Sequence, residues 1–104
     1  IMKDTIYLVL FDWSTDDSDG IETYLYRNYE AARNKMMSLI KDECDANISW
    51  VGSEVFDENG DVNERYELDC NTDDEHALEL YWRVVDKNNY NRHSFIDLLK
   101  REIL

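Results

Sequence analysis

The chain has 104 residues, 43% of them hydrophobic, and a formal net charge of −13 from 24 acids against 11 Lys and Arg. That length supports one domain with one modest core. The apolar content excludes a disordered tail, no apolar run reaches the ~20 residues of a membrane span, and the charge repels nucleic acid and anionic lipid. The N-terminus lacks the apolar run of a secretory signal, which favours the cytoplasm; Met2 reads as the natural start, with Ile1 an addition ahead of it.

Thr5 to Phe11 is rich in β-branched and aromatic residues, with Ile6, Leu8 and Leu10 on one face and Tyr7, Val9, Phe11 and Trp13 on the other. Two apolar faces predict an interior strand covered on both sides. Ser14 to Gly20 is a turn, and Ile21 to Tyr26 a second strand forming an antiparallel hairpin with the first. Asn28 is a good N-cap. Tyr29, Ala32, Met36, Leu39, Ile40 and Cys44 then recur at helical spacing, predicting an amphipathic helix over 29–43 with Arg33, Lys35 and Lys41 solvated.

Ile48 to Phe56 alternates like a strand. Asn59-Gly60 supplies a hairpin turn, and Val62 to Cys70 returns with Val62, Tyr66, Leu68 and Cys70 inward. Asn71 to Glu75 is an acidic turn. His76 to Val85 reads as a fifth strand with Leu78, Leu80, Trp82 and Val84 inward, ended by Asp86 to Asn89. Ser94-Phe95-Ile96-Asp97 resembles a capping box, opening a short helix that buries Phe95, Leu98, Leu99 and Ile103. The expected fold is α+β: a single domain over 1–104 in the order ββαβββα, with a mainly antiparallel sheet, one long helix and one short one.

No cofactor motif is present. Cys44 and Cys70 lie far apart without metal-ligand spacing and read as free, partly buried thiols. The acidic turns suggest calcium, but with Gly20 at the sixth loop position Thr15 and Tyr26 occupy the first and twelfth, and Gly60 is one residue early relative to Asp57, Asn59 and Asp61. Neither turn is read as a metal site. His93, with Tyr90 and Arg92 nearby, could serve a small nuclease or hydrolase as acid or base, the competing reading being a helix flank. No nucleophile elbow, glycine-rich phosphate loop or dinucleotide fingerprint accompanies it. Trp13, Trp50 and Trp82 read as core or half-buried; Phe11 and Trp13 could instead make an exposed patch for self-association in a regulatory module whose acidic surface is merely solvated.

The charge is concentrated. Asp42 to Glu79 contains fourteen acids and one base, Arg65, while the rest of the chain balances. Glu67 and Asp69 share a strand face about 6.6 Å apart from a ~3.3 Å rise per residue, near two ~3.4 Å phosphate steps of a DNA strand. With the turns beside them they could present a phosphate-like array. In size and charge the chain resembles the small acidic nucleic-acid mimics that mobile elements use against host nucleases, of the anti-restriction or anti-CRISPR type. The expected function is therefore non-enzymatic binding of a basic protein surface, such as that of a nuclease or other nucleic-acid-binding protein, with no direct nucleic acid or membrane contact. The expected contact residues are Asp57, Glu58, Asp61, Glu64, Glu67, Asp69, Asp73, Asp74 and Glu75.

Overall fold

The computed structural model describes residues 4–15, 17–45 and 55–103. The elements are β1 (Asp4–Ser14), β2 (Asp19–Tyr26), α1 (Tyr29–Asp45), β3 (Tyr66–Asn71), β4 (Glu79–Asp86) and β5 (Asn89–Ile103). The strands form one antiparallel sheet in the order β2-β1-β5-β4-β3. No described helix is long and apolar enough to cross a membrane.

The first hairpin is closed by Thr15, whose Oγ1 accepts from the N–H groups of Asp17 and Ser18 at 3.3 and 3.2 Å. Trp13 pairs across the hairpin with Gly20, and its indole lies over the position a Cβ would take, 2.7 Å from Cζ2. Glycine is needed there for space. Asn28 caps the helix as expected: its Oδ1 accepts from the Ala31 N–H at 3.0 Å. Such a cap contributes about 1 kcal/mol.

Helix α1 lies on one face of the sheet. It packs on β1, β5 and β2, and its Ala32, Met36 and Leu39 share one buried cluster with Val9 and Phe11 of β1, Leu80, Trp82 and Val84 of β4, and Ile96 and Leu98 of β5. Val55 and Tyr66 complete this core. The patch expected from Phe11 and Trp13 is thus on the helix-covered face: Phe11 is buried and Trp13 half-buried. Arg33 and Lys35 are half-buried rather than solvated, and Lys35 sits 4.3 Å over the Tyr24 ring.

The expected C-terminal helix is absent. Asn89–Ile103 is a fifteen-residue strand inserted between β1 and β4, so the order is ββαβββ in the described residues. Phe95, Leu98 and Leu99 satisfy helical spacing, but Ser94, Ile96 and Leu98 also satisfy the two-residue period of a strand. Pairing with β1 over eleven residues decides between them, overriding local propensity. Ser94, expected to cap a helix, is a fully buried strand residue whose Oγ donates to Glu43 at 2.7 Å.

The expected strand over 48–56 lies largely outside the described residues, as does Trp50; its end survives as a bridge between Phe56 and Val62 around the Asp57–Asp61 turn. Gly60 carries that turn's positive φ of 84°. The returning strand starts at Tyr66, not Val62, because Asn63 makes a turn: its carbonyl accepts from the Tyr66 N–H at 2.9 Å and its Oδ1 from the Arg65 N–H at 3.1 Å. Val62 and Cys70, expected inward, are exposed, and Leu78, also expected inward, precedes β4 with 70% exposure. Both cysteines are free, Cys44 half-buried and Cys70 exposed.

β1 is interior to the sheet, yet among the described residues nothing covers its second face. That open face carries Ile6, Leu8 and Leu10 of β1, Ile21 and Leu25 of β2, Phe95 and Leu99 of β5, and a polar cluster around Arg83.

Candidate functional site

Of the nine acids expected to contact a partner, two lie on edge strand β3 and seven on the segments just before and after it, the Asp73–Glu75 loop lying against the N-terminal part of α1. Edge strand β3 holds Glu67 and Asp69 on the open face, opposite Val85 and Arg83 of β4. The chain enters this strand through the segment bearing Asp57, Glu58, Asp61 and Glu64, and leaves it through the loop bearing Asp73, Asp74 and Glu75. All nine residues are exposed. A strand rises about 3.3 Å per residue, so β3 holds the two loops about 20 Å apart with Glu67 and Asp69 between them.

Local chemistry fixes each part. Asp57 is spent partly on its own turn: Oδ1 accepts from the N–H groups of Asn59 and Asp61 at 2.9 and 3.0 Å. In the second loop Asp74 Oδ1 accepts from the His76 N–H at 2.9 Å. Arg33 of α1 donates to the Thr72 carbonyl at 3.2 Å, tying the loop to the helix. Tyr29 beneath it has its phenol pKa raised, mainly by burial; Arg33 opposes this, and the negative fields of Glu75 and Asp74 add to it.

Arg33 lies beside the second loop, lining one recess with Asp73 and Glu75, while two other cations near β3 are engaged by carboxylates outside the nine. Arg65, the base inside the acidic stretch, turns to Asp86 at 3.4 Å. Arg83 makes a two-pronged bond to Asp97, at 3.1 and 3.0 Å, and a third to Glu79 at 2.6 Å. The guanidinium pKa is raised chiefly by the Asp97 bond, and the Asp69 carboxylate contributes a weaker field. Among the described residues, no Lys or Arg forms an ion pair with any of the nine carboxylates; Glu75 has His76 at 3.8 Å, both exposed. Nor do the described residues gather three His, Cys, Asp or Glu side chains in a metal-holding group.

The acidic stretch does not all gather here. Asp42, Glu43 and Asp45 end α1, and Glu79 pairs with Arg83 on β4. Glu43 packs toward the sheet and accepts from Ser94; burial raises its pKa, the Ser94 bond opposes that, and the Asp42 and Glu22 charges raise it further.

His93 sits in β5 rather than beside a helix. Its Nε2 lies 3.0 Å from Asp12 Oδ1, and its ring stacks on Phe95 at 4.3 Å. Sequence reasoning missed this pair, since Asp12 is 81 residues away. It also missed Asp86, whose signal was its place in the inward register Leu80, Trp82, Val84, Asp86. No family model, curated protein or solved structure matches the chain.

Proposed function

We propose that this protein is a non-enzymatic interaction module whose β3 border binds a basic protein surface, such as the nucleic-acid groove of a nuclease, in the cytoplasm. The observation that carries the reading is the row of exposed carboxylates from Asp57 to Glu75 with no Lys or Arg paired to them among the described residues. An excess of charge of one sign on a surface steers an oppositely charged partner and speeds association, with an effect that fades as salt rises. An exposed edge strand with acids on it and on the segments at both ends offers carboxylates to a groove that otherwise holds a phosphate backbone.

The test is capture of partners from the source cell at low and high salt. It compares the native protein with Glu67→Lys, Asp69→Lys, Asp73→Lys and Asp74→Lys combined. A control reverses Asp4, Asp17, Asp42 and Asp45. Loss of a salt-sensitive partner by the first variant alone, with displacement of that partner by duplex DNA, supports the proposal; capture that survives the four β3-border reversals refutes it.

The His93–Asp12 pair supports a second reading, a small hydrolase in which Asp12 orients the imidazole as a general base. There His93→Ala removes hydrolysis of a nucleic-acid or ester substrate and leaves binding unchanged.

A further inference from the structure

The two edges of the sheet differ in what they tolerate. Pairing β3 with a second β3 in antiparallel fashion would set Glu67 and Asp69 against the same acids on the same face, and like charges directly opposite destabilise a sheet. Strand β2, the other edge, has no Pro or Lys and carries eight residues with no strand partner on their outer side among the described residues. Edges of this kind are templates for pairing.

We propose that β2 pairs antiparallel with β2 of a second copy about a two-fold axis through Thr23. An antiparallel pair sets directly opposed residues on the same sheet face. In this register Ile21 meets the partner's Leu25, Glu22 meets the partner's Tyr24, and Gly20 meets the partner's Tyr26. Asp19 meets the partner's Arg27, the first residue past the strand. The Ile21–Leu25 and Asp19–Arg27 oppositions are complementary, and the two-fold axis makes each occur twice. Ile21 and Leu25 are 68% and 69% exposed, among the most exposed large apolar side chains described, and the pairing covers both. Asp19 and Arg27 form no ion pair within the monomer among the described residues, so each is available to the other copy. Glu22 accepts from Tyr24 of its own strand at 2.7 Å, and across the seam that single hydroxyl hydrogen can only be exchanged for the partner's, so this opposition adds no bond.

The result is a continuous ten-stranded sheet in which the open faces of both copies lie on one side and the two acidic β3 borders lie at opposite ends. The proposal does not depend on what those borders bind.

Sedimentation velocity over a micromolar-to-millimolar range tests it. The native chain is expected to shift from monomer to dimer. Ile21→Lys should weaken dimerisation at least 100-fold, with an unchanged circular dichroism spectrum and melting temperature. Asp19→Lys alone and Arg27→Glu alone each set like charges against like at two places and should weaken it roughly tenfold. An equimolar mixture of those two variants restores opposite charges at both places, and should regain native-like dimerisation as a heterodimer. A native chain that stays monomeric, an Ile21→Lys dimer of undiminished strength, or a mixture no better than its components would each overturn the proposal. The exposed charge pair keeps the test decisive even if Ile21→Lys were to disturb folding.

Discussion

Replacing Asp86 with alanine should remove about 3 kcal/mol of stability, the lower end of the usual cost of breaking a buried ion pair, because the carboxylate is buried and its two arginines are half-buried. Asp86 is fully buried. It accepts from Arg92 Nη1 at 3.0 Å, Arg65 Nη2 at 3.4 Å and the Asn88 N–H at 2.9 Å, so one side chain joins the segment entering β3, the β4–β5 turn and the start of β5. Both arginine side chains are half-buried, with exposures of 21% and 32%. Against a total stability of about 5–15 kcal/mol, that loss is large. Asp86→Asn keeps the shape and the turn bond but loses two charge-assisted bonds, and should cost less than alanine. Burial pushes the Asp86 pKa up, but the Asn88, Arg92 and Arg65 bonds outweigh burial and hold it below its ordinary value of 3.8. Its stabilising contribution is therefore fully present above 3.8 and is lost as pH falls through the lower folded value. Urea denaturation of the native and Asp86→Asn proteins at a series of pH values should show a constant gap near neutrality that narrows below pH 3.8. A cost below ~1 kcal/mol for alanine, or a gap that does not narrow in acid, would refute the assignment of a buried three-way clamp.

Glu43→Gln should stabilise the protein at neutral pH, because burial and the Asp42 and Glu22 charges raise the Glu43 pKa while glutamine can still bond Ser94. A raised acid penalises folding as pH climbs from its ordinary 4.5 through the folded value, so the gain should vanish below 4.5 in the same urea titrations. Gly20→Ala drives a methyl into the Trp13 indole and should cost about 1–3 kcal/mol, read by thermal melting and by the tryptophan near-ultraviolet signal. Asp42→Lys places a cation in the last turn of a helix that has none there, and should add about 0.3–1 kcal/mol at low salt.

Residues whose signals are local were legible from the sequence. Asn28 with the stripe from Tyr29 to Cys44 gave a cap and an apolar face that nothing distant had to confirm. Turn chemistry likewise placed Thr15, Asp57 and Gly60. That Glu67 and Asp69 share a strand face was legible from their spacing, but whether β3 lay at an edge depended on the strand order. β5 was not legible because Ser94 to Leu99 fits two periods at once, and the choice is made by β1, some ninety residues earlier. His93–Asp12 and Arg65–Asp86 fail for the same reason, each being a consequence of strand pairing.

The insertion of β5 between β1 and β4 also governs how the chain folds. Two hairpins, β1–β2 and the one joining β4 to β3, share no direct strand contact and are bridged by a strand made after both. On the ribosome the sheet must wait as two separate ribbons until residues 89–103 emerge. Closure then pairs Asp4 with Ile103, a separation that gives high contact order and a slow final step. Refolding rate should consequently respond far more to substitutions along the β1–β5 seam than to equally destabilising ones in the Asp57–Asp61 turn.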